Sequence, residues 1–381
     1  MFGGANIEFF LHMQVYFPGF LKFALMKNNS DKTVFDLLIK WYWQHKRPLP
    51  WRKIINPYHI YISEIVFQQT RIDQGILYYK NIIQKYPDFD SLAAANEKDF
   101  LNVWQGLGYY SRAHNMLKAA AIISQHHHGR LPADYNLLLT LPGIGPYTAA
   151  AIAPIAFNLP HPVIDGNVKR VISRIRCIGI PSDKTELAKK IQDILNNQIQ
   201  HFNPSDFNQA LMDFGAMVCT PSKPSCKSCP INNFCCAFKN STVEKFPVKK
   251  AAKTKPIVYI NYYVVYSSNK KDCFYLLQRN DEKIWKGLYE FPCVEQTNSE
   301  ASVNLSPKIF PSSFAFNNAQ SVFQTSHILT HRNINASFLE IVFNKNIPST
   351  WIKVKVSEAH TMPVHRLIQQ YLEQMHQQKK Q

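Results

Sequence analysis

Five of the eight cysteines fall within 18 residues, from Cys219 to Cys236. Cys219, Cys226, Cys229 and Cys235 follow one another with six, two and five residues between them. Four thiolates so spaced can close around a zinc ion or a 4Fe–4S cluster. Zinc ribbons pair two Cys-x2-Cys knuckles across a longer gap. This stretch has one knuckle, which favours the iron–sulfur cluster. Chance clustering of buried thiols is the bland alternative, and the tight spacing weighs against it. Cys236 is a spare, because adjacent side chains diverge. Lys223 and Lys227 make the same loop basic and suit it to phosphates.

Two acids carry a second possible chemistry. Glu64 sits among Ile60, Ile62, Ile65, Val66 and Phe67. A lone carboxyl in such a stretch has its pKa raised and can hold a proton near neutrality. Asp165 lies in Val163-Ile-Asp-Gly-Asn, where the simplest role is a helix cap. About 20 residues before it stands Leu141-Pro-Gly-Ile-Gly-Pro-Tyr, a helix–hairpin–helix signature. Gly143 and Gly145 allow tight turning, so free N–H groups can point at a phosphate, and Pro146 suits the first turn of the next helix. An acid close behind a phosphate-gripping hairpin lies where positive charge developing on a sugar would need a carboxylate. Two inward acids far apart in sequence suggest the general-acid and charge-stabilising pair of glycosidic chemistry. In Gln105-Gly-Leu-Gly-Tyr-Tyr-Ser-Arg, Tyr109 and Tyr110 stand between a glycine turn and Arg112 and suit stacking or wedging into a duplex, with core packing of the pair the equal alternative; Gln69 is placed for the same task.

The elements that must position these residues change character along the chain. The 381 residues predict two domains, perhaps three. With 46% hydrophobic and 18% charged residues, the chain is too apolar to be disordered. The formal net charge of +17 points to a polyanionic partner. From Asp31 to about Gln200 the pattern is short helices divided by Pro and Gly, among them Asp31–Gln44, Tyr58–Gln69, Asp73–Lys85 and Asn167–Ile178. Ser30 or Asp31 is the expected cap of the first. Lys245 to Pro256 reads as a basic, extended linker. Beyond it, Ile257–Tyr266, Phe274–Gln278 and Ser337–Phe343 are strand-like, and Met362–Gln378 is helical again, so a separate α+β domain follows. No apolar run has the ~20 residues that span a bilayer. Residues 1–29 read as an extension that a second start at Met26 would shorten.

In order along the chain, Leu49-Pro-Trp-Arg, Ser63-Glu64 with Gln68-Gln69-Thr70, Gly-Leu-Gly-Tyr-Tyr-Ser-Arg, the hairpin, Ile-Asp-Gly-Asn-Val-Lys-Arg, Phe207-Asn-Gln-Ala-Leu-Met-Asp and the four cysteines resemble the MutY-type adenine DNA glycosylases of the endonuclease III superfamily. Trp285-Lys-Gly-Leu-Tyr-Glu-Phe-Pro resembles the MutT-like domain with which that family senses 8-oxoguanine. The resemblance implies a multi-domain fold. Residues 30–240 form an all-α helix-hairpin-helix core with one 4Fe–4S cluster at 219–236, residues 241–256 a linker, and residues 257–381 an α+β MutT (Nudix)-like domain. It implies removal of adenine mispaired with 8-oxoguanine or guanine in double-stranded DNA, by a monomer in the bacterial cytoplasm, with no membrane partner. It makes Glu64 the general acid, Asp165 the transition-state stabiliser, Asn167 the residue orienting the acid or water, and Tyr147 part of the site. It gives Gly143, Gly145, Gln69, Tyr109, Arg112 and Lys169 to DNA, and Trp51, Arg52, Gln209 and Asp213 to the adenine pocket. Leu329, Thr330 and His331 stand where the family has Phe-Ser-His; Thr keeps the hydroxyl and Leu the apolar wedge. Three alternatives remain. A glycosylase/lyase of the same superfamily needs a lysine where Tyr147 stands. A Nudix hydrolase needs a Glu-rich helix that is missing after Gly287. A non-catalytic DNA-binding iron–sulfur protein is opposed only by Glu64 with Asp165.

Overall fold

The computed structural model describes residues 18–249, 254–280, 284–296, 310 and 319–378, with side chains described from residue 32 onward. The expected extension therefore lies largely outside the described residues. The backbone divides into two compact units: residues 1–64 with 131–251, and residues 65–130 with 252–381.

The first unit is helical. Helix α1 (Pro18–His45) opens it, followed after a 3-10 turn at Pro50–Arg52 by α2 (Pro57–Val66), which crosses into the second unit at its last turn. Ser30 and Asp31 lie inside α1, because the helix starts at least 12 residues earlier than expected. Val34, Phe35, Leu38, Trp41 and Tyr42 of α1 are buried at the expected helical spacing.

After the excursion through the second unit come α7 (Tyr135–Thr140), α8 (Pro146–Phe157), α9 (Gly166–Arg176), α10 (Thr185–Ile199), α11 (Pro204–Met217) and the short α12 (Cys236–Lys239). The apolar face of α1 meets Val168, Val171 and Ile172 of α9, Leu187 and Ile191 of α10, and Phe207 and Phe214 of α11 in one core. Helix α11 is buried nearly all round, including Asn208, Gln209 and Asp213.

The second unit joins four helices to a sheet. These are α3 (Ile72–Lys85), α4 (Phe89–Ala93), α5 (Glu97–Trp104) and α6 (Ser111–His127). The strands are β1 (Ile257–Tyr266), β2 (Cys273–Gln278), β3 (Tyr289–Glu290), β4 (Cys293–Gln296), β5 (Gln320–Ile328), β6 (Asn333–Val342) and β7 (Trp351–Lys355), and α13 (Arg366–Gln378) closes the chain. They form a mixed sheet ordered β3-β2-β1-β6-β5, with β4 on β1 and β7 on β2; β1 and β6 run parallel. Ile260, Tyr262, Val264 and Tyr266 face one core with α13. Tyr263 and Val265 face the other. Both faces of β1 are covered, so its apolar run is nearly continuous.

Residues 65–130 group with the C-terminal part because the two are bonded directly. Asn102 Nδ2 donates to Thr361 O at 3.1 Å, and a ring nitrogen of His114 meets Lys286 O at 2.8 Å. Gly287 has φ +82 and lies so near that a Cβ there would sit 2.8 Å from His114.

Arg112 requires a correction. It was expected on DNA, but the residue is 7% exposed and its guanidinium is turned inward. Nη1 donates to the carbonyls of Ile65, Val66 and Gln68 at 3.0, 2.7 and 2.7 Å. Nη2 donates to Leu107 and Gly108 at 3.3 and 3.1 Å. One cation therefore satisfies the carbonyls left over where α2 ends and those of the glycine turn before α6. Arg112→Ala should cost ~3 kcal/mol or more by leaving these buried acceptors unpaired, lowering the melting temperature by roughly 5–10 °C. A variant that melts with wild type and only binds DNA less tightly would restore the surface role.

Candidate active site

Glu64 stands in the last turns of α2. Pro57 starts this helix, with Asn56 Oδ1 accepting from the Tyr58 N–H at 2.9 Å. Ile60, Tyr61, Ile62, Ile65 and Val66 are all buried, so the helix is apolar on nearly every side. Glu64 is partly buried in that setting. Burial pushes its carboxyl up to about 7, with Arg52 pulling it down and Asp165 pushing it further up.

Asp165 is the N-cap of α9. Its Oδ1 accepts from the Val168 N–H at 2.6 Å, so the capping role is real. Its Oδ2 accepts from Asn167 Nδ2 at 2.7 Å. Asn167 Oδ1 in turn accepts from Arg170 Nη2 at 2.8 Å, and Arg170 also donates to Gly215 O and, through Nε, to Cys219 O, both at 2.7 Å. Helix α11 passes so close that a Cβ on Gly215 would lie 2.6 Å from that of Asn167. A continuous hydrogen-bonded chain thus runs from Asp165 to the backbone of the first clustered cysteine. Of the two tasks expected for Asn167, the geometry shows it holding the acid. Lys169, behind it, points its Nζ to Ser182 O at 3.4 Å.

Tyr147 is the second residue of α8 and is 40% exposed. Burial of its hydroxyl, then the charges of Glu64 and Asp165, raise its pKa, so the phenol is neutral. In the hairpin before it, Gly143 takes the left-handed conformation at φ +81. Gly145 does not: it is the extended N-cap of α8, and a Cβ there would meet nothing within 4 Å. Its bareness leaves room for a close-approaching group and serves no turn.

The expected adenine pocket changes at Asp213. That carboxylate is fully buried and spent on two arginines. Arg52 Nη1 donates to Oδ2 at 2.6 Å and Nη2 to Oδ1 at 3.1 Å; Arg47 Nε donates to Oδ1 at 2.8 Å. Burial would raise Asp213, but the hydrogen bonds and charges of the two arginines hold it below the usual carboxylate range. Asp213 therefore holds Arg52 in place and has no oxygen left for a base. Sequence reasoning missed Arg47; its one signal was a second arginine five residues before Arg52. Gln209 is 7% exposed and donates to Ser205 Oγ at 2.9 Å, and Trp51 is buried.

Cys219, Cys226, Cys229 and Cys235 line one pocket with Arg174, Phe214 and Ile231. Among the described residues no three of His, Cys, Asp or Glu are placed to hold a single metal ion. Four thiols lining one space have the donor chemistry of an iron–sulfur site. Burial, then the neighbouring thiols, push Cys229 up to about 11, so four thiolates together require a cationic group among them. Cys236 is no mere spare: it forms a disulfide with Cys177.

In the second unit, Gln69 and Tyr109 are exposed residues with φ +55 and +48. Leu329, Thr330 and His331 form the tip of the β5–β6 hairpin, closed by Leu329 N–H to Arg332 O at 2.9 Å. Leu329 packs on the core while Thr330 and His331 face outward. Glu290, the acid of Leu288-Tyr-Glu-Phe, is buried and paired with Arg279 at 2.5 Å and His365 at 3.2 Å.

Both parts of the chain resemble known proteins. Residues 62–197 match the model of the HhH-GPD superfamily of base excision DNA repair proteins, and residues 262–374 match the NUDIX domain. An adenine DNA glycosylase of Buchnera aphidicola (subsp. Acyrthosiphon pisum) is 33% identical over 90% of this chain and 97% of its own. The adenine DNA glycosylase of Homo sapiens is 37% identical over 62% of this chain and 45% of its own. A solved thermostable thymine-DNA glycosylase is 26% identical, with a TM-score of 0.51, and covers 56% of this chain and 99% of its own. With its helix-hairpin-helix core and C-terminal Nudix-like domain, this chain belongs to the adenine DNA glycosylases.

Proposed function

We propose that this enzyme releases adenine mispaired with 8-oxoguanine or guanine from double-stranded DNA, hydrolysing the N-glycosidic bond without cutting the strand. The observation that carries the reading is the pairing of a carboxyl, Glu64, set in an apolar helix that pushes it up to about 7, with a second, Asp165, held by hydrogen bonds. An adenine extruded from the duplex must leave with an extra proton, because its anion is a poor leaving group. Glu64 gives that proton to N7. Positive charge then develops on the sugar, and Asp165, fixed by Val168 N–H and Asn167, stabilises it. Water completes the hydrolysis. A lyase reaction needs an amine to form a Schiff base, and the neutral phenol of Tyr147 offers none. Arg52, with Gln209 and Trp51, borders the base.

Gly143, Gly145 and Lys169 are proposed to hold the phosphates, and Gln69 and Tyr109 to fill the distorted duplex. The C-terminal domain reads the base opposite adenine through Thr330 and His331, with Leu329 as the wedge. Glu290 is consumed by Arg279 and His365, which supports a domain that binds and does not hydrolyse. Cys219, Cys226, Cys229 and Cys235 would hold one 4Fe–4S cluster, whose positive charge stabilises the four thiolates and stiffens the loop bearing Lys223 and Lys227. The enzyme acts as a monomer in the bacterial cytoplasm, on DNA. Among the described residues no helix is long and apolar enough to cross a membrane.

Duplexes carrying adenine opposite 8-oxoguanine, guanine, cytosine and thymine test the specificity. Base release should be fast for the first two only and should leave an intact abasic strand; equal rates for all four, or strand cleavage in step with release, would end the proposal. Glu64→Gln cannot donate the proton, and a positioned general acid contributes ~10²–10⁴-fold, so its single-turnover rate should fall by that factor while mismatch binding persists. The active form is the protonated one, so the wild-type rate should fall as pH rises through about 7.

The cluster assignment is checked on purified protein, which should be yellow-brown and contain four irons per chain. Colourless protein with one zinc would refute it.

A further inference from the structure

The Cys177–Cys236 disulfide joins two segments of the first unit that bear on the site. Cys177 is the C-cap of α9, in the left-handed conformation at φ +50, and the N-cap of that helix is Asp165. Cys236 directly follows Cys235 and opens α12. The bond therefore ties the helix that presents Asp165 and Asn167 to the loop bearing the last of the four clustered thiols. Both sulfur-bearing residues are partly exposed, within reach of small thiols. Asn240 Nδ2 is 3.5 Å from Cys236 Sγ and 4.0 Å from Cys177 Sγ.

The same two segments are also joined without the bond. Arg174, three residues before Cys177, donates to Thr220 O at 2.7 Å, Pro221 O at 3.1 Å and Phe246 O at 3.0 Å. Cys235 Sγ approaches Arg174 O at 3.4 Å. The loop thus stays attached to α9 when the disulfide opens, and its folding does not require the bond. Compartments that hold DNA keep thiols reduced, and a disulfide found there is typically a transient or redox-sensing one. This last step rests on the reading of the chain as a DNA repair enzyme.

We propose that Cys177 and Cys236 are a reversible thiol–disulfide site that braces the cysteine loop against α9 under oxidising conditions. To open it, one thiolate of a dithiol attacks a sulfur of the pair and releases the other as a thiol. The second thiol of the reagent then displaces the mixed disulfide. The protein gains two electrons and two protons, and the dithiol becomes a disulfide. To close it, glutathione disulfide takes the same two electrons and leaves as two glutathione molecules.

Full-length wild type and Cys177→Ser are equilibrated with glutathione disulfide or with dithiothreitol, quenched in acid, unfolded, alkylated and weighed intact. Wild type should take up two fewer alkyl groups after glutathione disulfide than after dithiothreitol, and Cys177→Ser should lack that two-thiol difference. The bond closes a 59-residue separation, so oxidised wild type should melt roughly 5–10 °C above the reduced form, with Cys177→Ser at the reduced value under both conditions. Cys236→Ser should behave as Cys177→Ser does. Equal alkylation of wild type in both buffers, a bond that dithiothreitol cannot open in the folded protein, or a melting temperature indifferent to oxidation would each overturn the proposal. None of these readouts involves adenine release, so the brace and the catalytic reading fail separately.

Discussion

A carboxyl group loses its preference for the charged form when water is withdrawn from it, and the first unit is organised around that fact at Glu64. The apolar faces of α2 withdraw the water. Arg52 opposes them with a positive charge, and Asp165 reinforces them with a negative one. The resulting balance depends on where Arg52 is held, and that is the work of Asp213, a buried acid whose two oxygens are filled by Arg52 and Arg47. One burial thus carries three further requirements: a fixed cation, a buried acid to fix it, and a second acid held in place by hydrogen bonds.

The second acid has its own support. Asp165, Asn167, Arg170 and Cys219 form one hydrogen-bonded series along and beside α9. The close approach of Gly215 to Asn167 lets α11 lie against that series. The cysteine loop is therefore joined to the acid through polar contacts, through Arg174 and through a disulfide. Such redundancy holds the Asp165 carboxylate in one orientation. The sheet of the second unit satisfies different demands: both faces of β1 are covered, and its acid Glu290 is neutralised by Arg279 and His365.

Much of this was legible in the sequence wherever one face of an element is buried and the other wet. The spacing of Val34, Leu38, Trp41 and Tyr42 announces α1, and Gly or Pro marks most helix ends. Helix α11 gave no such pattern because Asn208, Gln209 and Asp213 are buried along with its apolar residues. Helix α4 is five residues long, and its start is written only in the capping box of Asp88 and Ser91. Strand β5, Gln-Ser-Val-Phe-Gln-Thr-Ser-His-Ile, is largely polar and only half-buried, so alternation is faint. The apolar setting of Glu64 was legible because Ile60, Ile62, Ile65, Val66 and Phe67 flank it in the sequence. Arg112 was misread because sequence places a basic residue beside a tyrosine without saying which way it turns. The Cys177–Cys236 bond was invisible because nothing local pairs a cysteine with one 59 residues away.

The account stands on the proton of Glu64, and that proton can be observed without any reaction. Infrared difference spectra between wild type and Glu64→Gln, recorded from pH 4 to pH 9, isolate the carbonyl stretch of the protonated carboxyl. The account predicts a band that persists at pH 6 and disappears with a midpoint near 7. A carboxyl already ionised at pH 6, titrating near the ordinary 4.5, would contradict it.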